Sequence, residues 1–115
     1  MKLLKTSNLL RRILKPAFSK DGTVTAANSS SISDGAAALV MMTMQEAEKK
    51  DSKPLAKIIA HATNSHDPAW FTTAPIGAIK KVLDKAEWDI KDVGLFEINE
   101  AFAVVPMAAM KDLSI

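Results

Sequence analysis

The residues with the clearest chemical capacity are Asn99-Glu100-Ala101-Phe102, between a stretch that reads as a strand and one that reads as a helix. Strand-to-helix junctions are common sites of functional groups in α/β proteins. An asparagine there offers both a donor and an acceptor and keeps its charge state at every pH. The simpler use of Asn99 is as a helix N-cap that accepts from orphan backbone amides, and residue chemistry alone favours that use. A second candidate is the loop 26–35, whose serines and small residues would let a ligand approach the backbone closely. Its simpler reading is a polar surface loop. His61 and His66 are the two histidines, and neither stands at a metal-ligand spacing, so both read as structural or solvated and no metal is expected. Neither a Walker pattern nor GxGxxG is present. The chain contains no cysteine, which removes disulfides, thiolate metal sites and a thiol nucleophile from its chemistry.

The 115 residues suit one domain or part of a larger one. An apolar share of 48% is too high for a disordered chain, yet only two Trp and four Phe contribute to it and Tyr is lacking. The net charge of +2 is too small, and too evenly spread, to indicate nucleic acid. No apolar run approaches the roughly 20 residues that cross a bilayer, so no membrane is expected. Residues 1–14 combine Lys and Arg with Leu and Ile and contain no acid. That pattern suits a short amphipathic helix or a tail, and less well a targeting peptide.

These residues must be held by elements that the pattern also suggests. Asp21-Gly22 marks a turn, and Thr23-Val24-Thr25 favours a short strand. Residues 36–42 form an unbroken apolar run, read as a strand buried on both faces, with Met41, Met42 and Met44 in the core. Residues 44–50 read as a charged helix and 55–63 as another strand. Pro75 suits a first helical turn, followed by Ile76, Ile79, Val82, Leu83 and Ala86 at helical spacing. Residues 92–98 read as turn then strand, and 101–113 as a helix that Pro106 bends or delays. The alternation predicts an α/β fold, with strands of a mixed sheet layered with helices.

From Leu14 onward the chain resembles the thiolase family, and within it the short-chain acetyl-CoA acetyltransferases. The resemblance rests on Leu14-Lys15-Pro16-Ala17-Phe18, Asp21-Gly22-Thr23-Val24-Thr25-Ala26-Ala27-Asn28, Ser33-Asp34-Gly35-Ala36-Ala37-Ala38, Pro54-Leu55-Ala56, Ala74-Pro75-Ile76 and Phe96-Glu97-Ile98-Asn99-Glu100-Ala101-Phe102. It implies a partial thiolase fold: 1–14 unmatched, 15–53 the end of the family's N-terminal half, and 54–115 the start of its C-terminal half. It also implies Claisen chemistry on coenzyme A thioesters, with no further cofactor. Asn99 matches the asparagine that orients an oxyanion-hole water, and Ser30 the serine that hydrogen-bonds the pantetheine arm. Ala26 and Ile32 match positions along that channel, Ala101 and Phe102 residues beside the thioester, and Phe71 the wall of a short-acyl pocket. Ser29 and Ser31 depart from the family, which often has Ala and Gly or Thr there.

The family's nucleophilic cysteine falls upstream of the matched region, and its GHP histidine and second cysteine fall downstream of Ile115. Three readings follow. The first is a thiolase-derived fragment, inactive alone. The second is one subunit of a split thiolase completed by another chain. The third is a non-catalytic acyl-CoA-binding module. The partners expected are acyl-CoA, a complementing thiolase chain or a second copy in a homo-oligomer, and the expected compartment is the cytoplasm. Strands taken from a larger sheet would leave open edges, which predicts self-association or poor solubility.

Overall fold

The computed structural model describes residues 14–115; apart from Leu14, the segment 1–14 with its helix, tail or targeting reading lies outside the described residues. Among the described residues there are three α-helices: α1 (Met44–Lys49), α2 (Ala74–Ala86) and α3 (Val104–Leu113). Tight 3-10 turns span Ala26–Asn28, Pro68–Thr73 and Ile90–Asp92.

Each helix begins and ends for a local reason. The Thr43 hydroxyl accepts from the Glu46 amide at 3.3 Å and starts α1. Helix α2 carries Pro75 in its first turn, where no intrahelical amide donor is needed. In α3, Pro106 lies within the first turn and leaves the axis intact, and the helix starts at Val104 rather than at Ala101. All three helices end at a left-handed residue that is not glycine: Asp51, Glu87 and Ser114, with φ of 49°, 57° and 57°. After each helix a backbone amide reaches back five residues: Ser52 N–H to Ala47 O at 2.9 Å, Trp88 N–H to Leu83 O at 3.1 Å and Ile115 N–H to Met110 O at 3.1 Å.

Helices α2 and α3 pack on each other and on the Pro68–Thr73 turn. Val105 and Ala109, one turn apart on α3, face this contact and are buried. Residues 61–64 run alongside α2 and are tied to it by side chains. Asn64 donates to Ala74 O at 3.1 Å and accepts from Lys81 Nζ at 2.8 Å, and Lys85 Nζ donates to His61 O at 3.1 Å. The approach requires Gly77, since a Cβ there would lie 2.4 Å from Asn64 Nδ2.

The expected mixed sheet does not form among the described residues. Residues 23–25, 36–42, 55–63 and 92–98 make no strand, and the one strand-type pairing is an isolated antiparallel bridge between Ser29 and Phe102. Strand propensity expresses a fit to a pleated surface that neighbours cover, and it yields a strand only when a neighbour lies within hydrogen-bonding reach. Among the described residues, no backbone group of 31–42 or 53–60 makes a hydrogen bond. The run 36–42, expected to be buried on both faces, is exposed instead, with Leu39 and Val40 at 86% and 91%. Met41, Met42 and Met44, expected in the core, are exposed as well.

The buried apolar residues are Ala47, Val105 and Ala109, and no large side chain among the described residues is fully enclosed. The accessible surface is 10396 Å2, whereas a closed globule of 12.4 kDa would expose about 6,100 Å2. The radius of gyration is 18.8 Å, against about 13 Å for a compact domain of this length. The chain is therefore more open than a closed domain, and much of its apolar surface is uncovered.

Glu87 holds a left-handed conformation that disfavours a side chain with Cβ. Glu87→Gly is expected to raise stability by about 1 kcal/mol, read as a higher thermal midpoint by circular dichroism. An unchanged or lower midpoint would argue against this helix end.

Candidate functional site

The site is assembled where two distant segments meet. The turn Ala26–Asn28 is clasped by its own side chains: Thr25 N–H donates to Asn28 Oδ1 at 2.8 Å, and Ala27 N–H to Thr25 Oγ1 at 3.3 Å. Asn28 Nδ2 also donates to Thr23 O at 3.0 Å, and Ser29 Oγ to Thr25 O at 2.7 Å. Thr25 is buried, and its backbone and hydroxyl both serve these bonds. The turn then hands its backbone to the segment preceding α3. Ser30 N–H donates to Ala101 O and Ala103 N–H to Asn28 O, each at 3.0 Å. The Ser30 hydroxyl donates to the carbonyl of Glu100.

Phe102 is the apolar counterpart of this polar clasp. Its ring meets Phe18 edge-on at 5.8 Å between centroids and Phe71 at 6.3 Å. Such edge contacts align the positive rim of one ring with the negative face of another. Three segments, around residues 18, 71 and 102, thus converge on one side chain. On the Phe71 side lies a cleft of 320 Å3 lined by Phe71, Pro75, Ile79, Ile98, Asn99 and Ala101, among others.

The sequence-derived residues divide accordingly. Ser30, Ala101 and Phe102 are brought together by the bridge, and Phe71, Asn99 and Ala101 line the cleft. Ala26 sits on the turn and is exposed, and Ile32 is fully exposed beyond it. Asn99 does not cap α3, whose N-cap is Ala103 with no side-chain bond. Its amide is exposed and makes no hydrogen bond among the described residues, so it is available to a ligand or water. His66 Nε2 lies 2.7 Å from Trp70 O and closes the Pro68–Thr73 turn, a structural role. Residue chemistry alone singled out neither Phe18 nor the Thr25–Asn28 clasp. The clasp carried a readable signal, a threonine followed three residues later by a side chain able to reach back.

Comparison with known proteins decides the family. The family model described as "Thiolase, C-terminal domain" matches residues 52–115, more than half of the chain, and that for "Thiolase, N-terminal domain" matches residues 6–45. The chain belongs to the thiolase family. It is 50% identical over 100 residues to an acetyl-CoA acetyltransferase of Rhizobium meliloti (strain 1021), covering 87% of this chain and 25% of that protein. To the cytosolic acetyl-CoA acetyltransferase of Mus musculus it is 49% identical over 104 residues, covering 89% and 26%. It superposes on the crystal structure of Acat5 thiolase from Ascaris suum in complex with coenzyme A with a TM-score of 0.87 at 42% identity, covering 90% of this chain and 28% of that one. The chain therefore carries part of the thiolase-type α/β fold and spans about a quarter of the length of the curated relatives it matches. No helix among the described residues is long and apolar enough to cross a membrane.

Asn28→Ala removes the two ties that the Asn28 side chain makes within the turn that meets this thiolase Asn-Glu-Ala-Phe segment. Amide hydrogen exchange at Ser30 and Ala103 is expected to quicken by roughly tenfold, the loss of about 1.4 kcal/mol of local protection. Equal protection in both proteins would show that the bridge stands without the clasp.

Proposed function

We propose that this chain carries the coenzyme A-facing part of a thiolase acyl-transfer site, and that it is catalytically silent as a single 115-residue polypeptide. The observation that supports this most directly is the bridge, which sets Ser30 against Glu100, Ala101 and Phe102 across most of the chain length. In this reading 15–53 ends the family's N-terminal half and 54–115 begins its C-terminal half.

In this reading each residue has a task. The Ser30 hydroxyl uses its single proton on the Glu100 carbonyl. Its oxygen lone pairs remain, so toward a pantetheine arm it acts as an acceptor for an amide N–H. Ala26 and Ile32, exposed on the same loop, would flank that arm as it leaves the cleft. Ala101 contributes small bulk beside the thioester. Phe71, held by Phe102, closes the cleft floor and limits the acyl group to a short one. Asn99, with its amide unengaged at the cleft wall, holds a water toward the thioester oxygen as negative charge builds there. A preorganised donor at such an oxygen is worth about 3 kcal/mol in the transition state.

What the chain does not supply is the nucleophile. With no cysteine it forms no acyl-thioester intermediate of its own. Thiolysis of acetoacetyl-CoA by the purified chain is expected to equal the no-protein control, and turnover above it would sink this reading.

A second reading is a split enzyme, in which another polypeptide contributes the cysteines and the histidine in the cytoplasm. It is supported by the accessible surface of 10396 Å2, which exceeds that of a closed domain by about 4,000 Å2. Such a pair should co-purify and turn over acetoacetyl-CoA. In it, Asn99→Ala should lower kcat by about 100-fold with KM little changed. A KM effect alone would place Asn99 in ground-state binding instead. A free-standing acyl-CoA-binding module ranks third, and calorimetry without coenzyme A binding at millimolar concentration would remove it.

A further inference from the structure

The cleft at Asn99 holds a polar side chain to which the proposed function gives no task. Its walls are mostly apolar, from Phe71, Pro75, Ile79, Ile98 and Val105 among others. The polar residues that line it are Thr72, Glu97 and Asn99. Glu97 and Asn99 belong to the segment before α3, whereas Thr72 comes from the Pro68–Thr73 turn. Thr72 and its neighbour Thr73 are used differently. The Thr73 hydroxyl donates to Trp70 O at 2.9 Å and lies 3.3 Å from His66 Nε2, so it is spent inside the turn. Thr72 is half-buried at the cleft, and its hydroxyl makes no hydrogen bond among the described residues. A hydroxyl left open beside apolar walls gains most from a ligand oxygen that accepts its proton. Glu97 is exposed and offers acceptor oxygens, so the neutral donors of the cleft are Thr72 and Asn99.

We propose that Thr72 is a specificity-determining residue, whose hydroxyl donates to an oxygen on the acyl group beyond the thioester. The cleft then favours a short acyl group that bears an oxygen over a plain alkyl group of equal length. This assignment rests on the coenzyme A-facing reading of the cleft. In that reading Asn99 serves the thioester oxygen through its water, and Phe71 limits how far the acyl group extends. Thr72 follows Phe71 directly in the chain, so its hydroxyl belongs to the part of the cleft that the acyl group reaches. A 3-oxo group sets a ketone oxygen just beyond the thioester, and a ketone oxygen only accepts. An alkyl group there turns carbon toward the hydroxyl and displaces the water that would otherwise bond it. A site with an open polar group discriminates against the ligand that leaves it unpaired.

Equilibrium binding to the purified full chain tests this, since a chain without cysteine leaves the thioester intact. The probes are acetoacetyl-CoA and butyryl-CoA, which have the same acyl length and differ in the ketone. Acetoacetyl-CoA is expected to bind about fivefold more tightly by calorimetry. Thr72→Val keeps the branched shape and should abolish the difference, while Thr72→Ser should retain most of it. A 13C label at the ketone carbon gives an independent readout. Its resonance should move downfield on binding to the unmodified chain and to Thr72→Ser, and stay in place with Thr72→Val. Equal or reversed affinity for the two thioesters would overturn the assignment, as would a preference and a resonance shift that survive Thr72→Val. The comparison of thioesters on the unmodified chain and on Thr72→Ser decides the matter even where Thr72→Val does not fold. Failure of both thioesters to bind at millimolar concentration would overturn the coenzyme A-facing reading, and this assignment with it.

Discussion

The backbone bridge between residues 28–30 and 101–103 is the contact on which the site depends. Two amide-to-carbonyl bonds of 3.0 Å and the Ser30–Glu100 bond join a polar turn to the start of α3. Each such bond contributes about 1 kcal/mol net, a small sum for holding so distant a pair. The bridge holds because both sides are prepared for it. Thr25 and Asn28 fix the turn through their own side chains, and Phe102 anchors the other segment between Phe18 and Phe71. Polar clasp and aromatic cluster are thus the two supports of one junction.

Much of this was legible in the residues, and the division follows the range of the forces involved. Helices α1 and α2 were readable because capping, proline placement and apolar spacing act within one or two turns. The segment 36–42 was misread because a strand is a property of two chains side by side. Its Ala, Leu, Val and Met content gives an affinity for a covered surface without saying what covers it. The same limit applies to the meeting of Ser30 with Glu100, which no local pattern could announce.

Two parts of the chain differ in kind. Around α2 the contacts are specific and directional: Asn64 to the Ala74 carbonyl, Lys81 to the Asn64 side chain and Lys85 to the His61 carbonyl. The segments 36–42 and 53–60 offer area and open backbone, without directional partners among the described residues. This openness accords with a family whose matched members are about four times as long. It also separates two demands. Order at the cleft comes from contacts within this chain, while the apolar surface of 36–42 and 53–59 stays exposed.

The separation along the chain of the bonded pairs has a kinetic consequence. Asn64 and Ala74 lie 10 positions apart, whereas Ser30 and Glu100 lie 70 apart. On loop-closure statistics the longer contact costs about 1.7 kcal/mol more to bring together. Helix α2 with its tethered neighbour can therefore order early, through local encounters, and the bridge closes after them. The bridge that orders the cleft thus depends on contacts that sequence neighbours have already made.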